Sequence, residues 1–414
     1  MKLSTIIIFG IFMSLAQTGK CQEKIPPTSV HVSNNDSKHT NEYLENRILG
    51  SELNTPSLAR FLITAQYDRF IEKGLEFIQS NSIKKEEKET ILNTIISIHS
   101  LRYEYQDISD LREEYHLDKY NLSLNWNEID FFKQYTTKVE LEKTLPIKLP
   151  LKWSIAKTPM VEVEIDGQKF SFWLDIGASG SVISSTVANK INAIESNVKI
   201  TESAGSTDNV FSVKPAIIQN LAIGEITLKN LPVAIIDIKE LTLAPGITID
   251  GIIGLPFLFD YTTTIDNEKS ILTLSRNEKY IPTQKNFFWI GYPILELHLL
   301  NGNKTYWGFD TGAGTSRIKD GLLQKLDSTY QIKPIQIKES GVGGLTDKFQ
   351  SFMLPDFTIF CKDIPIVFKN IKSTTPEGVR TELIDADGKI GSDVVYHSKG
   401  VKFSFNQGFF KFIE

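Results

Sequence analysis

Twice along this chain a strict alternation of apolar and polar residues runs into unbroken apolar sequence and stops on an aspartate. Val161, Val163 and Ile165 alternate with Glu162 and Glu164 up to Asp166-Gly167, and Phe170, Phe172 and Leu174 then lead to Asp175. Leu295, Leu297 and Leu299 alternate up to Asn301-Gly302, and Trp307 and Phe309 then lead to Asp310. Period-two alternation broken by Asp-Gly or Asn-Gly predicts a β-hairpin, so each aspartate is expected at the end of a hairpin's second strand. Both copies close alike. Thr262 to Ile265 and Ile271 to Leu274 flank Asp266-Asn267-Glu268-Lys269, while Val401 to Phe405 and Phe409 to Phe412 flank Asn406-Gln407-Gly408.

Ahead of these strands the period changes. Leu58, Phe61, Leu62, Ala65, Phe70 and Ile71 recur at helical spacing, with Thr55 placed as N-cap and Pro56 at the first helical position. A second helix is expected from near Lys84, carrying Ile91, Leu92, Ile95, Ile96, Ile98 and Leu101, and a third, mostly polar, over Tyr103 to Tyr120. Residues 55–145 thus form a helical module, expected either to pack against the β lobes or to cover a cleft between them as a propeptide. Residues 21–54 are polar and carry Pro26-Pro27 and Ser33-Asn34-Asn35-Asp36-Ser37, the composition of a flexible linker. In residues 1–20, Lys2, the apolar run Leu3 to Leu15 and the small-x-small site Ser14-Leu15-Ala16 give the pattern of a signal peptide. That run falls short of the roughly 18 apolar residues of a membrane span. The expectation is an exported protein, periplasmic or secreted, with no stable membrane span once the signal is removed. Lys20 ahead of Cys21 argues against lipidation there.

Composition narrows the chemistry. A formal net charge of −5 offers no basic footprint for nucleic acid. The six histidines are scattered and pair with no cysteine at ligand spacing, and His99 falls inside a helical pattern, which speaks for packing over metal binding. No phosphate-cradling glycine loop precedes a helix, and no cofactor or metal is called for. With only Cys21 and Cys361, the fold must be held by its core and not by disulfides. A monomer is expected.

The two aspartates sit in one frame. Asp175-Ile176-Gly177-Ala178-Ser179-Gly180-Ser181-Val182-Ile183 and Asp310-Thr311-Gly312-Ala313-Gly314-Thr315-Ser316-Arg317-Ile318 share hydrophobic-Asp-x-Gly-Ala-x-x-Ser-x-Ile. Further on come Asp250-Gly251-Ile252-Ile253-Gly254 and Asp387-Gly388-Lys389-Ile390-Gly391, so that Gly254 lies 79 positions past Asp175 and Gly391 lies 81 past Asp310. Motif, hairpins and spacing together argue an internal duplication, with copies over 150–283 and 284–414. Two such loops facing each other bring two carboxylates together. At about 4 Å and an effective dielectric near 20, the like charges repel by about 4 kcal/mol, so the pair holds one proton. The ionised member can take a proton from water and the neutral one can hydrogen-bond a carbonyl under attack. Gly177 and Gly312 keep the loops tight. Asp250 and Asp387, each before glycine and an apolar strand, suit turns better than catalysis.

These residues resemble the retropepsin-like aspartic peptidases, in which an Asp-Thr-Gly-Ala loop and a hydrophobic-hydrophobic-Gly motif build each half of a two-fold β structure. The resemblance covers about residues 150–414 and implies a mainly β fold of two acid-protease lobes on one chain, related by a pseudo-two-fold. It implies an aspartic-type endopeptidase acting on a peptide or protein substrate, with Asp175 and Asp310 as the catalytic pair and Gly177, Thr311 and Gly312 supporting the loops. A glycine-tipped flap is also implied. Its candidates are Ser203-Ala204-Gly205-Ser206, with Gly205 at the tip, and Ser340-Gly341-Val342-Gly343-Gly344, with Gly341 and Gly343; an ordinary surface turn is the alternative for each. Phe211 and Phe349 come at similar offsets as candidate pocket residues. One position departs from the family. Ile176 stands where Thr or Ser normally sends a hydroxyl to the opposite loop, which keeps open a second reading, a catalytically impaired peptide-binding relative. Ala178 and Ala313 give the pair fewer hydrogen bonds than pepsins have, which would raise its upper pKa and favour activity nearer neutral pH.

Overall fold

The computed structural model describes residues 56–414 apart from 81–82, 142–144, 204–209, 238–240, 245–246, 277–284, 324–325, 327–329, 338–339, 342–343, 346–348 and 374–383. The signal peptide and linker expected over 1–20 and 21–54, with Cys21 and Thr55, lie outside the described residues, as do Gly205 and Gly343. The fold is mainly β, 44% strand against 24% helix, with a closed six-stranded barrel.

Five helices come first: α1 (Pro56–Ile63), α2 (Tyr67–Ile78), α3 (Lys85–Leu101), α4 (Tyr105–Tyr115) and α5 (Trp126–Phe132). The pattern from Leu58 to Ile71 suggests one helix, but Ala65 takes φ 55° and splits it in two. The third expected helix is also shorter than Tyr103 to Tyr120. His116 adopts the left-handed conformation and donates its N–H to Arg112 O, a termination that apolar spacing does not encode. The apolar faces of the helices pack onto the β structure. The Tyr67 hydroxyl accepts a hydrogen bond from Trp289 N at 3.0 Å, and its ring lies 5.2 Å from that of Phe259.

The barrel uses six strands: β1 (Pro159–Ile165), β2 (Gln168–Asp175), β3 (Ser181–Ser184), β4 (Val210–Ile223), β5 (Ile226–Ile236) and β6 (Gly251–Gly254). Their order round the ring is β1-β2-β6-β3-β5-β4, closed by β4 on β1 at Glu164↔Ala222. The predicted hairpin forms: Asp166 and Gly167 both take positive φ, 51° and 73°, and turn β1 into β2. Burial in β1 tracks the sequence alternation, Val161, Val163 and Ile165 inward and the two glutamates outward. In β2 alternation gives way after Phe172 to continuous burial of Trp173, Leu174 and Asp175, as the strand enters the interior.

Six later strands pair in the same succession: β7 (Pro293–Leu299), β8 (Lys304–Asp310), β9 (Arg317–Ile318), β10 (Phe349–Cys361), β11 (Ile364–Ser373) and β12 (Gly388–Gly391). Their order is β7-β8-β12-β9-β11-β10, with β10 returning to β7 at His298↔Phe360. The polarities agree pair by pair. β6 runs parallel to β2 and antiparallel to β3, as β12 does to β8 and β9. A five-stranded sheet joins the two rings, formed by Ile147–Pro150, Ile271–Ser275, Thr262–Asp266, Gly400–Ser404 and Phe409–Phe412 in that order. At its centre the two predicted closing hairpins pair through Thr262↔Ser404.

Candidate active site

Asp175 ends β2 and Asp310 ends β8, and both are fully buried. Each strand is locked by the glycine motif beside it, through Asp175↔Gly254 and Asp310↔Gly391. The shared serine of the frame ties loop to motif. Ser181 Oγ accepts from Gly254 N at 3.2 Å and Ser316 Oγ from Gly391 N at 2.9 Å. Leu255 N donates to Ala178 O, and Ser392 N to Ala313 O, each at 2.8 Å. This lacing is the physical content of the repeated spacing: the second motif holds the aspartate loop from beneath.

The two loops meet head on. A Cβ on Gly177 would lie 2.6 Å from Asp310 Oδ1 and 2.8 Å from the Tyr292 hydroxyl, and one on Gly312 would collide with the Asp175 carboxyl. Glycine is required at both positions by this close approach. Gly177 N donates to Asp175 Oδ1 at 2.8 Å, and Ala313 N to Asp310 Oδ1 at 3.0 Å. Thr311 crosses between loops, its Oγ1 accepting from Ile176 N at 3.0 Å and donating to Leu174 O at 2.7 Å. Ile176 has no hydroxyl to return; it is buried in the main apolar core. The grip between loops is therefore made from one side.

Burial is the chief cause that holds the Asp175 carboxyl well above the ordinary carboxylate range. The charge of Asp310 and a hydrogen bond with it push the same way, while Gly177 N–H and the Lys389 cation oppose. Such a pair keeps a proton into the range where an isolated aspartate has lost it. It can present one acid and one base to a water or a carbonyl between them.

Two neighbours of the pair carry chemistry that motif and spacing do not announce. Lys389, buried on β12, places Nζ 3.2 Å from Asp310 Oδ2. Tyr292, in the turn just before β7, is buried against the carboxylates. Its phenol is held well above its ordinary value by burial first, then by Asp310 and Asp175. Gly388-Lys389-Ile390-Gly391 reads as a second apolar motif by its frame; aligned with Gly251-Ile252-Ile253-Gly254, it carries a lysine in an isoleucine's place. The same comparison sets Tyr292-Pro293 against Thr158-Pro159. The lysine also opposes the shift toward neutral pH expected from Ala178 and Ala313, because a cation favours the ionised forms of the pair.

Asp250 and Asp387 stay outside the pair. Asp250 Oδ2 accepts from Ser171 N at 3.2 Å and Asp387 Oδ2 from Tyr306 N at 2.9 Å, so both pin strands, in keeping with a turn role. Of the flap candidates, Gly341 lies on a short hairpin, Ser340–Gly341 paired with Gly344–Leu345. Ile200–Ser203 pairs with the start of β4, and Gly205 lies outside the described residues. Phe211 is buried with Trp173, Val182 and Ile252 in a small apolar cluster. Cys361 is buried, its thiol pushed up to about 12 mainly by burial, which removes it as a nucleophile. His99 is bonded to Glu104 at 2.7 Å, far along the chain from the pair. Among the described residues no helix is long and apolar enough to cross a membrane.

Residues 161–257, which run from β1 through β6 and include Asp175, match the model of a retropepsin-like family described as aspartyl protease. No curated protein matches the chain.

Proposed function

We propose that this protein is an exported aspartic-type endopeptidase in which Asp175 and Asp310 share one proton and activate a water. The observation that carries this reading is the meeting of two fully buried aspartates, each against the other loop's glycine. Chemically, the ionised carboxylate takes a proton from water as its oxygen bonds to the peptide carbonyl carbon. The protonated partner gives its proton to the carbonyl oxygen. A neutral tetrahedral diol results; the newly protonated carboxyl then gives its proton to the amide nitrogen while its partner takes one from a diol hydroxyl, the C–N bond breaks, and the pair again holds a single proton. The reading takes 150–283 and 284–414 as copies of one duplicated lobe and residues 55–145 as a helical module packed on them. It takes 1–20 as a signal directing a monomer to the periplasm or medium, with peptide or protein as substrate.

The test is cleavage of an unfolded protein mixture. Wild type should cleave, and Asp175→Asn and Asp310→Asn should each lose at least about 10²-fold. Equal activity in all three contradicts the dyad. Ile176 favours a second reading, a peptide-binding relative without turnover. It predicts saturable peptide binding by a wild type that leaves every peptide intact.

A further inference from the structure

We propose that Lys389 is a positioning residue that fixes the proton of the pair on Asp175 and its negative charge on Asp310. This inference rests on the peptidase reading above and deepens it.

The two halves of the pair are unequally furnished. Asp175 accepts from Gly177 N. Asp310 accepts from Ala313 N, lies beside the Tyr292 hydroxyl and meets the Lys389 ammonium at 3.2 Å. An ammonium group this close stabilises a carboxylate and not a carboxylic acid. The placement is a property of the strand register. Lys389 stands opposite Gly308 on β8 and Arg317 on β9, whereas its counterpart Ile252 stands opposite Trp173 and Val182. Glycine at 308 leaves unfilled the side-chain position that Trp173 fills in the first ring. Alternation sends residues 390 and 253 to the opposite face, into the main core, so 389 and 252 share the face toward which the aspartate loop turns.

Among the described residues, the charged and titratable groups about the pair are Lys389 from β12, Tyr292 from the turn just before β7, and the aspartates themselves from β2 and β8. Beyond Lys389, Arg317 on β9 and Asp393 form a second layer, in which Asp393 accepts from Ser316 N at 3.0 Å and Ser316 Oγ at 2.7 Å. With Asp175 neutral, Asp310 negative and Lys389 positive, the three groups sum to no net charge, which suits a site shut away from solvent. This charge state sets the roles: Asp310 takes the proton of the attacking water, and Asp175 delivers its proton to the carbonyl oxygen.

The test is the pH profile of peptide cleavage in wild type, Lys389→Met, Lys389→Arg and Asp310→Asn. Removing the cation disfavours both ionisations of the pair, so Lys389→Met should move the acid and alkaline limbs upward by about one pH unit or more. Lys389→Arg should hold the wild-type limbs. If the Lys389→Met limbs superpose on wild type while Asp310→Asn is inactive, the lysine inference fails and the dyad stands. If Asp310→Asn matches wild type, the dyad itself fails. A measurement on unaltered protein covers the case in which Lys389→Met does not fold. With aspartate carboxyl carbons labelled by carbon-13 and the two asparagine variants used for assignment, Asp310 should give a carboxylate shift at the pH where Asp175 gives a carboxylic-acid shift. The reverse order, or one averaged shift, overturns the assignment.

Discussion

The two rings of strands pair in the same order and polarity and differ in one face. Leu174, Ile183 and Ile253 in the first ring match Phe309, Ile318 and Ile390 in the second, and all six are buried in the main core. The alternate face diverges. Trp173, Val182 and Ile252 join a closed apolar cluster, while the matching positions hold Gly308, Arg317 and Lys389. The lesson is that alternation separates two demands. The core face must stay apolar for the ring to form, so it repeats; the other face meets the aspartate pair and is free to take on charge.

The largest expected effect comes from forcing one ring to imitate the other. Ile252→Lys puts an ammonium beside Trp173 with no space prepared for it, and should cost more than about 4 kcal/mol of stability in urea denaturation. A variant as stable as wild type would show that the small cluster is not closed.

The pH dependence of stability sharpens the comparison next. Asp175 is held above its unfolded value, so its contribution is fully present below the ordinary carboxylate pKa of about 3.9 and is lost as pH rises through the raised folded one. Asp175→Asn lacks this dependence. Its stability relative to wild type should therefore climb from acid to neutral pH, by up to about 1.4 kcal/mol per pH unit, as read from melting curves. A difference that stays flat with pH would remove the case for a proton held at Asp175.

Smaller effects probe the one-sided grip. Thr311→Val deletes the bonds to Ile176 N and Leu174 O and should cost about 1–3 kcal/mol, with activity falling as the loops lose register. Ile176→Thr offers a second hydroxyl, and its gain should stay within about 1.5 kcal/mol. If Ile176→Thr changes neither melting temperature nor turnover, the absent hydroxyl is immaterial to this molecule.

The hairpins, the closing pair included, and the strand ends at Asp175 and Asp310 are legible in the sequence, because alternation and polar turns such as Asn-Gly or Asp-Gly are local signals; the joining of the closing hairpins into one sheet is not. The pairing of Asp175 with Gly254 is foreshadowed by a repeated interval, although Ser181, which binds them, shows there only as part of a frame. The break at Ala65 and the early stop at His116 are not legible, since neither residue type announces a left-handed backbone. Lys389 escapes notice for another reason: one lysine in an apolar motif looks like noise until the register sets it beside a carboxylate. Tyr292 is hidden similarly, in a loop whose meaning depends on what folds over it.

The most direct test of the assembled pair is calorimetric titration with a peptide mimic whose scissile bond is replaced by a hydroxyl-bearing carbon, the mimic of the tetrahedral diol. Wild type should bind it with a heat that varies between buffers of different ionisation enthalpy, the sign of proton exchange on binding, and Asp175→Asn and Asp310→Asn should each weaken binding at least tenfold, about 1.4 kcal/mol. Equal affinity across all three proteins would contradict a shared carboxylate centre.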